Sequence, residues 1–327
     1  MQLTKTGLYD KISTLFFNFG GKMKKILSPL LMLIAAAIWG LAFTAQKASD
    51  TIPPFALGAS RSIVAAVFLL FIIPLSDKIL HTGRHFIAES TVIDIKPTEL
   101  FGGITCGAIL TVASFFQQAG MSMGADAGKS SFITAIYVIL VPIYSLFIKK
   151  KASANAWVSV FVAAVGFFLL SVSAPFGISG AEITVFLCSL IFPLHILAVD
   201  FFSKKGDGCR ISFIQFITAT GLNAFLSAIF ENANISDLGS CILPILYLGI
   251  MSSGVAYTLQ IIGQKNTPPT ASSVILSLES VFGAVFGALI LGEKLTPKEI
   301  IGCITVFAAV ILSQINFKKK ANKTLHN

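Results

Sequence analysis

Ten apolar stretches of about 20 residues, joined by short polar links, leave this chain few ways to fold. A helix needs about 20 mostly apolar residues to cross the hydrocarbon core of a bilayer. A backbone in lipid must also satisfy its own hydrogen bonds, which a helix does. The stretches read as helices over 27–47, 54–75, 99–121, 129–148, 154–173, 181–202, 210–230, 241–263, 271–291 and 297–316. The expected fold class is all-α, an integral membrane protein with ten transmembrane helices. Only 12% of the 327 residues are charged and 55% are hydrophobic, about half the charge of a soluble domain. A water-soluble enzyme, a disordered chain and a secreted disulfide scaffold are therefore excluded. The longest link, 76–98, is too short for a domain. Residues 1–26 read as a polar N-terminal segment, with Met23 an alternative start, and 317–327 as a basic tail. Lys24 and Lys25 precede an apolar run without a small-x-small cleavage site, so the run reads as a first span and not as a removable signal.

The net charge of +9 takes its meaning from its placement. With the N-terminus inside, 19 of the 24 Lys and Arg residues fall in cytoplasmic segments. Lys47, Lys129, Lys294 and Lys298 fall outside, and Arg61 lies within a span. This asymmetry is the orientation signal of a multi-pass protein, with both termini cytoplasmic and the cell membrane as location. Nucleic acid is excluded as a partner.

The chain also repeats itself. Ala113–Ser171 lies over Val255–Ser313 at a constant offset of 142 residues without a gap. Gln118 falls on Gln260, Ser130 and Ser131 on Ser272 and Ser273, Ile133 on Ile275, and Phe115 on Tyr257. A looser match at offset 154 places Arg61 on Gln215. The spans form two five-helix halves, 27–173 and 181–316. Five is odd, so the second half enters the membrane inverted, an architecture common among secondary transporters that bind near the midplane between repeats.

Ionisable groups within spans are costly and generally face a cavity or a partner. Glu279, near the middle of span nine, reads as a carboxylate for proton coupling or as a structural acceptor. Arg61 in span two suits a substrate carboxylate with its planar fork, or an internal partner that fixes the bundle. His195, beside Pro193, is a second candidate proton carrier, and Asp200 beside Lys204 and Lys205 reads as an interfacial ion pair. Neutral polar residues recur at helical spacing: Gly107, Thr111, Ser114 and Gln118 in span three; Ser130, Thr134, Tyr137 and Tyr144 in span four. Gly249, Ser253, Tyr257 and Gln260 do so in span eight, and Ser273, Ser277 and Ser280 in span nine. These faces read as the lining of a wet cavity, or as small residues that let helices approach. Trp39 could close one end of that cavity or stack on a substrate. Pro74, Pro142, Pro193 and Pro244 are expected to kink their helices. The five Cys and four His show no disulfide or zinc spacing, and no Gly-rich phosphate loop is present. No cofactor is expected.

At these residues the chain resembles the EamA family of the drug/metabolite transporter superfamily. Trp39-Gly40-Leu41-Ala42-Phe43 is similar to its WG-x-x-F motif and Arg61 to its span-two arginine. Leu278-Glu279-Ser280-Val281-Phe282, with Leu291-Gly292-Glu293-Lys294-Leu295-Thr296, resembles its LEPVF…LGEKLT signature, Ser280 standing where Pro is usual. The resemblance implies two EamA-type repeats and the transport, by export, of a small metabolite such as an amino acid, without naming the substrate. The expected partners are a small-molecule substrate, the lipid bilayer and H+ as coupling ion, and a homodimer is compatible with the sequence. Rival readings are a membrane-embedded transferase, for which no carboxylate or His cluster is found, and a non-transporting subunit or receptor.

Overall fold

The computed structural model describes residues 21–80, 95–149, 152–171, 179–291 and 296–314. Most of the N-terminal segment, the middle of the 76–98 link, Lys150, Lys151, residues 292–295 of the signature and the basic tail lie outside the described residues. Among the described residues all regular structure is helical. Among the described residues nine helices are long and apolar enough to cross a membrane, and a tenth, shorter apolar helix covers Ala154–Leu169. The protein is thus all-α, with ten spans in two inverted five-helix repeats. Spans one to three are Gly21–Lys47, Pro54–Leu80 and Pro97–Ser122. Spans five to seven are Ala154–Ser171, Gly180–Phe202 and Gly208–Phe230, and span ten is Pro297–Gln314. Pro54, Pro97, Pro269 and Pro297 each open a helix, where the N–H that Pro lacks would have no helical partner.

Three spans depart from the continuous α-helices expected from sequence. Span four breaks into Ala127–Thr134 and Tyr137–Phe147, and span nine into Pro269–Leu276 and Glu279–Leu291. At each break the bonding tightens to i−3: Val138 N donates to Ala135 O at 3.0 Å and Ser280 N to Ser277 O at 3.2 Å. Offset by 142, Tyr137 falls on Glu279, so each opens the second piece of its span. In span eight, Ile242–Leu246 leads into a π-helix, Tyr247–Tyr257, and then into Thr258–Gln264. The matching stretch of span three is α-helical.

The packing obeys the internal symmetry. Span three packs on six as eight packs on one; three on seven as eight on two; four on six as nine on one. Spans two and seven, four and nine, and five and ten pack on their own counterparts. The main contacts therefore run between halves, and neither half closes a bundle alone. Lipid is as apolar as leucine, so helices here gain by close van der Waals approach at small residues. A Cβ on Gly107 would lie 2.5 Å from Gln215 O, and one on Gly249 3.0 Å from Arg61 O. These two crossings are symmetry mates, and they fix the backbone of Arg61 and of its counterpart. Gly107→Ala is expected to destabilise the protein by about 1–3 kcal/mol through overpacking against backbone. Gly221→Ala, in open space within span seven, gains helix propensity and serves as the control. Thermal denaturation in detergent reads both, and equal midpoints would contradict the crossing.

Two carboxylates tie the halves where helices begin. Glu231, at the end of span seven, accepts from Phe55 N at 2.8 Å and Ala56 N at 2.9 Å. Glu99, in span three, accepts from Asp207 N at 2.9 Å and Lys96 N at 2.9 Å. Asp200 pairs with Lys204 at 2.6 Å, as expected of an interfacial ion pair.

Candidate functional site

A cavity with about 480 Å³ of empty space lies between the two halves. Spans one, two, three, four, six, eight and nine contribute to it. Of the sequence candidates, Trp39, Arg61, Thr134, Tyr137, His195, Tyr257, Gln260 and Glu279 line it.

Arg61 is held by a fork of hydroxyls. Its Nε donates to Ser253 Oγ and its Nη2 to Ser252 Oγ, both at 3.0 Å. Among the described residues it has no ion-pair partner. Both serines sit on the π-helix, and Ser252 O also accepts the Trp39 indole N–H at 3.1 Å. Trp39 packs on Tyr257 with centroids 4.7 Å apart, and Tyr257 meets His195 and Phe216 edge-on at 5.6 and 5.7 Å. His195 Nε2 and Gln215 Oε1 lie 3.0 Å apart, a bond that the Nε2–H tautomer donates. His195 is thus tied to Gln215, the counterpart of Arg61.

Glu279 is 5% exposed. It begins the second piece of span nine, and its Oε1 has no hydrogen-bond partner among the described residues. The Tyr137 hydroxyl, at the symmetry-related break, is the buried polar group that faces this carboxyl, without a well-formed hydrogen bond of its own. The cavity so combines a guanidinium from one half with a carboxyl group from the other, neither paired with an opposite charge among the described residues. Isolated buried charges are expensive, and such groups at a cavity wall can be satisfied by what enters.

A ladder of amides borders the cavity. Gln46 Nε2 donates to Gln117 Oε1 and Gln117 Nε2 to Thr134 Oγ1, both at 3.0 Å, linking spans one, three and four. Toward the other end, Gln260 Nε2 donates to Gln264 Oε1 at 2.8 Å and Gln264 Nε2 to Ile196 O at 3.1 Å. Gln260 Oε1 is buried and unpartnered.

Six sequence candidates lie off the cavity wall. Gln118 turns to span one and donates to Gln46 O at 3.3 Å, while its neighbour Gln117 takes the wall. Thr111 bonds back to Gly107 O at 2.9 Å on its own helix, and Ser114 is half-buried on that same face. Ser253 sits behind Ser252, because π winding rotates the face that α spacing places inward. Ser277 bonds back to Val274 O at the span-nine break, and Ser280 donates to Ser131 O at 2.7 Å, joining spans nine and four. Gln46, Gln117, Ser252, Phe43 and Phe192 line the cavity without having been singled out from sequence. An amide within an apolar span was the available signal for the two glutamines, whereas the two Phe rings were lost among 29.

Comparison with known proteins agrees with this architecture. The EamA-like transporter family matches twice, over residues 26–172 and 179–314. An uncharacterized transporter of Archaeoglobus fulgidus is 30% identical over 295 residues, spanning 89% of this chain and 86% of its own. The uncharacterized transporter YoaV of Bacillus subtilis is 21% identical over 86% of this chain and 95% of its own. The threonine/homoserine exporter RhtA of Escherichia coli is 29% identical over 76 residues, 23% of this chain and 26% of its own. A crystal structure superposes with a TM-score of 0.69 at 17% identity, covering 88% of this chain and 96% of that one. That likeness shows the fold.

Proposed function

The chain belongs to the EamA-like transporter family, and we propose that it is a secondary transporter of a small zwitterionic metabolite of the amino-acid class, bound in the cavity between its halves. Membership places it among multi-pass membrane transporters of small molecules and not among enzymes. One observation carries the substrate class: Arg61 and Glu279 line the same cavity, and among the described residues neither has a charged partner. A zwitterion supplies both missing charges, its carboxylate to the guanidinium fork and its ammonium to Glu279. The amino-acid derivatives in the name of RhtA fit this chemistry, and export is the direction we favour by that likeness. Trp39 and Tyr257 wall the space left for a side chain.

Alternating access follows from two inverted halves around a shared site. The breaks in spans four and nine and the π-helix in span eight are the places where bonding can re-form between states. Glu279, free on one oxygen, is the group we assign to proton exchange, and the cell membrane with cytoplasmic termini is the setting the basic loops support.

Binding tests the reading directly. Purified protein in detergent is expected to gain thermal stability with a zwitterionic amino acid, and much less with the decarboxylated amine or the deaminated acid. Equal stabilisation by all three would contradict the charge assignment. Ser252→Ala with Ser253→Ala leaves the guanidinium without its fork and is expected to weaken zwitterion binding about tenfold. An unchanged affinity in that titration would remove the two serines from the site.

A further inference from the structure

We infer that Glu231 and Glu99 are paired latches between the halves, one on each face of the membrane, and that transport breaks them in turn. The inference rests on the alternating-access reading above and names the contacts that such a cycle must break.

The internal symmetry isolates the feature. At offset 154, Pro53 falls on Asp207 and Phe55 and Ala56 on Cys209 and Arg210. Span seven is capped by its own chain: Asp207 Oδ1 accepts from Cys209 N and Arg210 N, both at 3.0 Å. In span two Pro53 holds that position and has no side-chain oxygen to offer. The carboxylate of Glu231, in the second half, takes both N–H groups instead, one on each oxygen. The cap of span two is therefore supplied across the boundary between halves, at the face that carries the 48–53 and 231–241 connections.

The opposite face has its own bridge. Glu99, in the first half and 2% exposed, spends one oxygen on Lys96 N, at the start of its own helix, and the other on Asp207 N in the second half. Thr98 Oγ1 adds a bond to Lys205 O at 3.3 Å, and Gly206 sits against the Glu99 side chain. Each carboxylate thus joins one half to the start of span two or span seven, the helices that carry Arg61 and Gln215. Carboxylates on backbone N–H groups at helix N-termini make charge-assisted bonds. Two faces, each bridged by one such carboxylate, are what two alternately closed ends require.

Cysteine accessibility tests the pair. Ala42 lines the cavity and takes a single cysteine, in a background with the five native cysteines replaced whose transport is checked first. Labelling uses a membrane-impermeant maleimide applied from the face bearing the 48–53 connection. Glu231→Gln is expected to speed labelling about threefold or more, and Glu99→Gln to slow it by a similar factor, since each releases only its own face. Both substitutions speeding labelling, as a loosened bundle would, or neither changing it, would overturn the latches. A second variant separates latch from cap. Glu231→Ala with Pro53→Asp gives span two a cap of its own kind, as in span seven. Labelling that stays fast supports the latch, and a return to the parent rate makes Glu231 a cap only. Protection of Ala42→Cys by a zwitterionic amino acid is scored separately: its absence, with opposite effects intact, sinks the substrate reading and leaves the latches standing.

Discussion

Arg61→Ala is expected to raise the KM for a zwitterionic substrate about 10- to 100-fold in proteoliposome uptake, with a much smaller change for the matching amine that lacks a carboxylate. The magnitude follows from losing a charge-assisted pair of hydrogen bonds. The guanidinium already gives Nε and one Nη to Ser253 and Ser252, which aims the fork and leaves donors for a ligand. Removing it should cost little stability, because both serines can bond back to their own helix, as Thr258 does to Gly254 O at 2.6 Å. Arg61→Lys keeps the charge but loses the planar fork and should fall between. A structural Arg61 gives the opposite pattern: a lowered melting temperature, and the same KM change for both compounds.

Glu279→Gln is expected to abolish uphill transport driven by a pH gradient, a loss of tenfold or more in the driven rate, while downhill exchange continues at a raised KM because the ammonium loses its partner. The substitution keeps the shape and the packing beside Gly40, where an added Cβ would lie 2.9 Å from Glu279 O. It replaces a buried carboxyl oxygen that has no well-formed hydrogen bond among the described residues, so stability should hold or rise. That combination separates a coupling carboxylate from a structural acceptor, whose loss would lower stability along with rate. Driven transport by Glu279→Gln at the parent rate would remove proton coupling from this residue.

The spans were legible because lipid demands about 20 apolar residues each time, and the repeat because Gln118 and Gln260 keep register without a gap. Arg61 and Glu279 stood out because charge is rare inside spans, and both line the cavity. What the sequence hid was winding. Regular α spacing put Ser253 and Gln118 inward, whereas π bonding in span eight presents Ser252, and Gln117 takes the wall in span three. Backbone bonding of this kind follows from contacts between helices, such as Trp39 on Ser252 O, and those contacts are far apart in the chain. The trans cap from Glu231 was invisible for the same reason: 175 residues separate it from Ala56.

Counterflow in proteoliposomes tests the central claim most directly. Vesicles preloaded with an unlabelled zwitterionic amino acid, facing a trace of the labelled compound, are expected to accumulate label transiently. The accumulation should fail with Arg61→Ala and weaken with Glu279→Gln, which removes the partner of the ammonium. Label entry that is absent with every zwitterion tested, or equal for the amine and acid analogues, would contradict a zwitterion site between the halves.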